Sequence, residues 1–261
     1  MESISHDRPA QSSLAAIQHF QTEFAQRHFA RVTFDLIYAR PGQTIAQWQA
    51  ELDRALSFGT GHLSLYQLTI EPGTRFETMV RKRDFVPLEE DACADMFALT
   101  RDVTAAAGLP AYEVSNHARP GEESRHNLTY WRYEDYCGIG PGAHGRRDGF
   151  ATVRHRKPEN WLDAIDRQGY GIAEQRPLEL REQASEAMLM GLRLREGVDI
   201  AALAARFGLT SSAICDEAKA AFYPGQELVW RDGSRLGVSG RGMPLLDGLL
   251  AELVPAGLVS S

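Results

Sequence analysis

Residues 124–145, SRHNLTYWRYEDYCGIGPGAHG, concentrate side chains that can do chemistry. The segment holds two histidines, two arginines, a glycine-rich tail and four aromatic residues, Tyr130, Trp131, Tyr133 and Tyr136. An imidazole such as His126 can coordinate iron, aromatic rings can flank a flat apolar ligand, and Arg125 can pair with a carboxylate. A porphyrin is a ligand that would use all three features. The alternative for any single histidine is a hydrogen-bonded structural role, and composition alone favours it.

Polar residues also fall in or just after two predicted strands. Asp35 lies within RVTFDLIYARPGQT, and Gln67 and Thr69 lie in HLSLYQLTI. A carboxylate among apolar residues is costly unless it is paired or binds a ligand. Polar side chains at the carboxyl ends of strands commonly line ligand sites in βα folds. The alternative is that these groups satisfy local hydrogen bonds.

Hydrophobic periodicity, together with turn and capping residues, predicts the helices and strands that must position these residues. Leu14, Ile17, Phe20 and Phe24 recur at helical spacing from Ser12 onward. The first strand, with apolar residues on both faces, is expected to be covered on both sides. Thr44 and Gln47 match a capping box that opens a helix through Trp48, Leu52 and Leu56. After the second strand a helix is predicted from Glu90 to Ala107, with Gly108 as its cap, and AYEVSN (111–116) as a strand. This order predicts an α/β fold built from βα units of a parallel sheet or barrel.

The segment 116–149 has no clear period and is predicted to be irregular and functional. Pro158 is suited to the first turn of the next helix. Four further helices are predicted. The first spans 180–194, the second begins after Asp199 as its N-cap, the third spans 211–222, and the last contains Leu245, Leu249 and Leu253. ELVWRDGSRLGVS is predicted to be a hairpin with Asp232-Gly233 at its turn.

Helices followed by a small hairpin indicate a winged-helix-like α+β domain at the C-terminus. Such domains often bind DNA, but residues 181–261 contain eight basic and ten acidic residues. That balance is wrong for a phosphate-binding face, so an accessory or docking domain is favoured.

Composition narrows the class of protein further. The chain has 261 residues, 43% of them hydrophobic, and a formal net charge of −7, which argues against nucleic-acid binding. Residues 119–157 nevertheless carry eight basic against five acidic residues, which is suited to a small anionic ligand. No apolar stretch is long enough for a membrane span. Three scattered cysteines, Cys93, Cys137 and Cys215, give neither a disulfide framework nor a metal clip, so a reducing cytoplasm is the expected location.

Four stretches of the sequence resemble, in order and spacing, the HemW-type heme chaperones. They are FDLIYARPGQT, HLSLYQLTIEPGT, YEVSNHARPGEESRHNLTYWRYEDYCGIGPGAHG and EAMLMGLRLREGVD. These chaperones are relatives of the oxygen-independent coproporphyrinogen III oxidases in the radical SAM superfamily. HNLTYW matches the HNxxYW pattern that separates heme chaperones from the true oxidases. The resemblance implies the C-terminal portion of a partial radical SAM barrel followed by the small final domain.

The resemblance also implies roles for particular residues. His126, Asn127, Tyr130 and Trp131, with Arg125 beside them, would bind heme, and His126 would be the iron ligand. Asp35 and Thr69, together with His144, fall where the oxidase relatives contact S-adenosylmethionine. The implied function is heme binding in the cytoplasm and delivery to respiratory proteins of the membrane, which leaves peripheral membrane association open.

Two departures from the family pattern change these expectations. The CxxxCxxC loop that holds a [4Fe–4S] cluster in radical SAM proteins does not occur in this sequence. We therefore expect no cluster and no radical chemistry from this chain alone, and whether it is an enzyme stays open. His117 and Cys137 replace an aromatic and an aliphatic residue, so His126, His117, His144 and Cys137 all remain candidate axial ligands.

Two rival interpretations remain. One is an enzyme that oxidises coproporphyrinogen III, and the other is a non-functional fragment.

Three domains are predicted. They are a barrel segment over 1–115, a heme loop and barrel-closing segment over 116–177, and the final domain over 178–261. With only two barrel strands, an open sheet edge is expected to favour self-association.

Overall fold

The computed structural model describes residues 24–255. The chain divides into two compact units, 1–123 and 124–261. The three-part division made from the sequence stays a prediction. The predicted helix that begins at Ser12 lies outside the described residues except for residues 24–28, which are helical.

The first unit alternates strands and helices as expected. The strands are β1 (Asp35–Tyr38), β2 (His62–Gln67) and β3 (Asn116–Ala118). The helices are α1 (Ile45–Ser57), α2 (Arg75–Lys82) and α3 (Glu90–Ala106). β1 pairs with β2 in parallel, and β3 pairs with β2 antiparallel.

Local chemistry explains where α1 begins and what it covers. The Thr44 side chain accepts from the backbone N–H of Gln47, and the Gln47 side chain accepts from the backbone N–H of Thr44, which confirms the predicted capping box. The Trp48 ring stacks on Tyr38 at 4.9 Å between centroids. Trp48 also donates from Nε1 to Thr100 Oγ1 of α3 at 2.8 Å. α1 and α3 thereby cover one face of the sheet and form the core of this unit.

The other face of β1 corrects one expectation. Asp35 and Ile37 are exposed, and Asp35 is the first residue of the strand rather than its middle. The prediction of a strand covered on both sides is therefore wrong for the described residues. Periodicity indicated two apolar faces, but it could not show that, within residues 24–255, helices pack against one of them and leave Ile37 on the other exposed.

The third strand is also displaced from its predicted position. The prediction of a strand at 111–116 is wrong, because pairing with β2 begins only at Asn116, opposite Ser64. Ala111 makes an isolated bridge to His117 instead. The β-branched and aromatic residues of AYEVSN pack in the loop that precedes the strand, where Tyr112 and Glu113 are buried.

The second unit begins with a short helix and a three-stranded antiparallel sheet. The helix is α4 (Arg125–Trp131), and the sheet contains β4 (His144–Arg147), β5 (Phe150–Arg154) and β6 (Ile172–Pro177). α5 (Pro158–Gln168) connects the last two strands and starts with proline, as predicted. The irregular segment predicted over 116–149 is therefore wrong in part, since β3, α4 and β4 all lie inside it. These elements are too short for a period to be visible.

The C-terminal part contains the helices and the small sheet that were predicted for a winged-helix-like domain. Its helices are α6 (Leu180–Gly191), α7 (Ile200–Phe207), α8 (Ser211–Ile214), α9 (Glu217–Phe222) and α10 (Leu246–Leu253). A three-stranded sheet has the order β7 (Val198–Asp199), β9 (Arg235–Val238), β8 (Val229–Asp232). The predicted hairpin is confirmed, but its two-residue turn is Gly233-Ser234 rather than Asp232-Gly233, because Asp232 is the last residue of β8 and pairs with Arg235. Gly233 has φ 57°.

Two helices in this part end earlier than periodicity indicated. α6 stops at Gly191 rather than at residue 194. The single helix predicted over 211–222 is broken at Cys215, whose backbone is extended. Asp216 then begins α9 by accepting from the backbone N–H groups of Ala218 and Lys219 at 3.0 Å each. A capping aspartate offers the backbone an alternative to a continuing helix.

Candidate functional site

The HNLTYW motif forms α4, a helix of two turns on the surface of the second unit. Ser124 is its N-cap and accepts from the backbone N–H of Asn127 at 3.3 Å. Because residues four apart share a helix face, His126 and Tyr130 lie together, and Asn127 and Trp131 lie on the adjoining face. The motif therefore presents two faces with different surroundings.

The first face continues into a row of aromatic rings. The His126 and Tyr130 rings meet edge to face at 4.7 Å between centroids, and Tyr130 meets Tyr136 at 4.4 Å. We call His126, Tyr130 and Tyr136 the aromatic row. His126 is exposed and makes no hydrogen bond to any described residue, so both of its ring nitrogens are accessible to a ligand.

The second face of α4 is turned toward the protein. Trp131 is half-buried, its Nε1 is buried without a hydrogen-bond partner among the described residues, and the guanidinium of Arg193 lies 5.5 Å from its ring. α4 packs on α6. Arg132, directly after the helix, makes a bidentate ion pair with Glu196 at 2.8 and 2.9 Å. Trp131 therefore fixes the helix on the domain, and His126 and Tyr130 remain at the surface.

A buried arginine supports the aromatic row from below. The Arg146 guanidinium on β4 lies 3.4 Å from the centre of the Tyr133 ring and 5.4 Å from that of Tyr136. The Tyr133 hydroxyl donates to Glu186 Oε2 of α6 at 2.5 Å, and Arg146 approaches the same oxygen at 4.0 Å. Burial, followed by this bond to Glu186, raises the pKa of the Tyr133 phenol, so it stays a donor. We call Arg146, Tyr133 and Glu186 the arginine cluster.

The backbone joins the cluster to the row. Tyr136 and Arg146 exchange backbone hydrogen bonds at 2.7 and 3.0 Å, and Arg206 of α7 donates to the Tyr133 carbonyl at 2.9 Å. Tyr133 has a left-handed backbone with φ 55°, which is uncommon for an aromatic residue. The chain leaving α4 is thus held in one conformation by three elements.

A groove lies beside the end of the row. It has a volume of about 420 Å³, and its walls include Tyr136, Cys137, Arg147, Phe150 and Arg154. The Arg154 guanidinium donates to the Gly138 carbonyl, and Arg147 pairs with Asp148 at 3.2 Å. Apolar walls with guanidinium groups at the rim are suited to an amphipathic anion.

These residues fit a heme group. An exposed imidazole supplies an iron ligand, Tyr130 and Tyr136 supply ring contacts, and Arg125 is exposed one residue before His126 for a propionate. The sequence predicted His126, Tyr130 and Arg125 for this role; His126 and Tyr130 are in ring contact, and Arg125 and His126 are exposed. Asn127 and Trp131 lie on the side of α4 that packs on the domain.

The four candidate axial ligands differ in access. His117 is only 1% exposed, and its Nδ1 lies 2.8 Å from Thr104 Oγ1, in the first unit. Burial, with Arg101 next in importance, lowers its pKa to about 3. His126, His144 and Cys137 are all exposed in the second unit. A ligand at the surface can reach these three but not the ring of His117.

The residues predicted to contact S-adenosylmethionine are spread over both units. Asp35 opens β1 opposite Ser64, and Thr69 follows β2 by two residues. Both Asp35 and Thr69 are exposed, and Thr69 Oγ1 donates weakly to the Gln67 carbonyl at 3.5 Å. His144 belongs to β4 of the second unit.

Residues 24–255 contain neither a membrane-spanning helix nor a metal-binding cluster of side chains. In this range no helix is long and apolar enough to cross a membrane. Within the same range no three histidine, cysteine or acidic side chains gather closely enough to hold a metal ion.

Sequence reasoning missed the arginine cluster. In the sequence, Glu186 stands out only as a member of a family stretch, and Arg146 only as one of many basic residues. No pattern in the sequence joins them, because Tyr133, Arg146 and Glu186 come from three separate parts of the chain.

Comparisons with known proteins agree with this architecture. Residues 178–245 match the model of the HemN C-terminal domain. The chain is 36% identical to the heme chaperone HemW of Bacillus subtilis over 181 residues, which are 69% of this chain and 48% of that protein. It is 33% identical to HemW of Mycobacterium tuberculosis over 233 residues, 89% of this chain and 57% of that protein. This chain is similar to HemW proteins over most of its length and carries a HemN-type C-terminal domain.

A mitochondrial relative and a solved structure extend the comparison. The chain is 39% identical to mouse radical S-adenosyl methionine domain-containing protein 1, mitochondrial, over 64% of this chain and 40% of that protein. The coproporphyrinogen III oxidase HemN from Escherichia coli, described as a radical SAM enzyme, matches in structure with a TM-score of 0.71. That match covers 90% of this chain and 58% of HemN at 16% identity, and it shows the α/β fold. The chain spans about half the length of the curated relatives it matches.

Proposed function

We propose that this chain binds heme on the exposed face of α4 and delivers it to a respiratory acceptor protein. The observation that carries the proposal is the exposed His126 ring, without a hydrogen-bond partner among the described residues, in contact with Tyr130 at 4.7 Å. Relatives named heme chaperones support the same assignment. Bound heme would supply iron for ligation by an imidazole.

The division of labour among the residues follows from their positions. His126 would hold the heme iron through a ring nitrogen, and Tyr130 and Tyr136 would exclude water from one side of the ligand. Arg125 orients a carboxylate. The arginine cluster fixes the chain that carries Tyr136, and Trp131 anchors α4. A site on one surface of the protein is suited to transfer, because the ligand can leave without domain opening.

A hemin titration tests the proposal. We expect a Soret shift that His126→Ala largely abolishes, because the iron bond is lost. Trp131→Ala should weaken binding with a smaller spectral change, since ligation survives, and His144→Ala should matter less. His155→Ala is the matched control, because hemin adsorbs to many surface histidines. Equal losses in His155→Ala and His126→Ala would refute the assignment.

The remaining partner and cofactor assignments are parts of the same proposal. We infer a cytoplasmic location, hand-over at the surface of a membrane, and contacts of Asp35, Thr69 and His144 with S-adenosylmethionine. Similarity to radical SAM proteins supports these contacts. Oxidation of coproporphyrinogen III is the rival, and the HNLTYW helix opposes it. Self-association through β1 is supported by its free edge, since β1 pairs only with β2 among described residues.

A further inference from the structure

The segment 75–86 carries exposed basic and aromatic residues, and none of them belongs to the proposed heme site. It comprises α2 and the turn after it, with sequence RFETMVRKRDFV. Its exposed basic and apolar members are Arg75, Phe76, Arg81, Lys82, Arg83 and Val86, which we call the basic patch; Glu77 and Asp84 are exposed as well. α2 contains no fully buried residue.

The charges of the basic patch are not satisfied inside the protein. None of its four cations makes an ion pair with another described residue. The two acidic residues of the segment leave a net charge of +2, in a chain whose net charge is −7. Glu77 is used locally, because it accepts from the backbone N–H of Gly73 at 2.8 Å.

The apolar members stand beside these cations. The exposed fraction of Phe76 is 51% and that of Val86 is 67%. Arg83 ends α2 in the left-handed conformation, with φ 61°, and turns the chain back so that Phe85 meets Phe76 edge to face at 5.8 Å. An aromatic pair and the exposed Val86 therefore lie in the same short segment as the four cations.

Helix capping accounts for only part of this arrangement. Cations in the last turn of a helix stabilise its C-terminus, which explains Arg81 and Lys82. It explains neither Arg75 in the first turn nor the exposure of Phe76 and Val86. A surface helix with unpaired basic residues and exposed aromatic residues is the pattern of interfacial membrane binding.

We propose that the basic patch docks this protein on a bilayer that contains anionic lipids. Arg75, Arg81, Lys82 and Arg83 would contact lipid phosphates, and Phe76 and Val86 would enter the boundary between headgroups and acyl chains. A bilayer is favoured over an acidic protein because exposed apolar side chains, those of Phe76 and Val86, accompany the four cations. The inference rests on the proposed function only in that it names the surface at which heme is handed over.

Vesicle co-sedimentation of the full chain without heme tests the proposal. Vesicles of phosphatidylcholine with about 30% phosphatidylglycerol should bind the chain, and pure phosphatidylcholine should bind it poorly. Arg81→Gln/Lys82→Gln should weaken binding about thirty-fold, since each basic residue near such a surface contributes about five-fold. Phe76→Ser should weaken it roughly ten-fold even at low salt, because burial of apolar area is lost.

The matched control is Arg156→Gln/Lys157→Gln, an exposed pair in the second unit. It removes the same charge and should leave vesicle binding within two-fold, roughly the noise of such assays when no local contact is lost. Equal loss in the two double variants, or no preference for anionic vesicles, would overturn the proposal and leave an acidic protein as the partner class. Because heme is absent, this result is independent of the hemin titration.

Discussion

His117 is a titratable group that the first unit holds in its neutral form. Its ring is 1% exposed, and Nδ1 lies 2.8 Å from Thr104 Oγ1. Burial is the main cause that lowers its pKa from an ordinary 6.5 to about 3, followed by repulsion from Arg101 and His62. The unfolded chain takes up this proton below pH 6.5, and the folded chain does so only near pH 3. The stability that depends on neutral His117 is therefore complete above the unfolded pKa and is lost as the pH falls toward the folded one.

The size of the effect follows from the interval between the ordinary pKa and the pH of the experiment. At about 1.36 kcal/mol per pH unit, the free energy of unfolding should be about 2 kcal/mol lower at about pH 5 than at about pH 8 through His117 alone. Burial also lowers the pKa of His62, which adds to the loss in the same direction. With a urea dependence of about 2 kcal/mol per molar, the midpoint should fall by about 1 M.

His117→Phe isolates this contribution. Thr104 keeps its bonds to the carbonyls of Thr100 at 2.8 Å and Arg101 at 3.2 Å, so no buried hydroxyl is orphaned. Urea midpoints of wild type and variant should be measured at several values between about pH 8 and about pH 5, with His155→Ala as a surface control. The difference between wild type and His117→Phe should change by about 2 kcal/mol across the series. Parallel curves for the two proteins would refute the assignment of a neutral buried His117.

Three further substitutions test the second unit by urea or thermal unfolding. Tyr133→Phe removes the bond to Glu186 and should cost roughly 1.5–3 kcal/mol, because that bond is made to a charged group; a loss below about 0.5 kcal/mol would contradict the arginine cluster. Gly191→Ala places a methyl group against Val198 and should cost roughly 1–2 kcal/mol, part of which Val198→Ala should restore; an unaltered midpoint would count against this packing. Asp216→Ala removes the N-cap of α9 and should cost about 1 kcal/mol, whereas Asp216→Asn should cost less.

Features set by neighbouring residues were predictable from the sequence. The capping box at Thr44, the proline that opens α5, the Asp199 N-cap and the Gly233 hairpin depend on side chains within a few positions of each other. The order of strands and helices followed from the same local signals. For that reason the fold class was correct even where individual boundaries were not.

Features set by distant residues could not be read in this way. The exposure of Asp35 and Ile37 on β1 depends on which of the described elements pack against that strand, and the break at Cys215 depends on a competing cap at Asp216. In the candidate site, HNLTYW identified the residues, but not that Trp131 points inward and His126 outward. That distinction depends on α6 and Arg193, which lie far along the chain from the motif.

The three cysteines differ in access so strongly that the chain carries its own labelling site. Cys215 is 1% exposed, and burial raises the pKa of its thiol to about 11, so it stays protonated and unreactive at neutral pH. Burial also raises the pKa of the partly covered Cys93. Cys137 is exposed directly after Tyr136, at the end of the aromatic row. A maleimide dye should therefore attach there without any mutation and report ligand arrival by quenching.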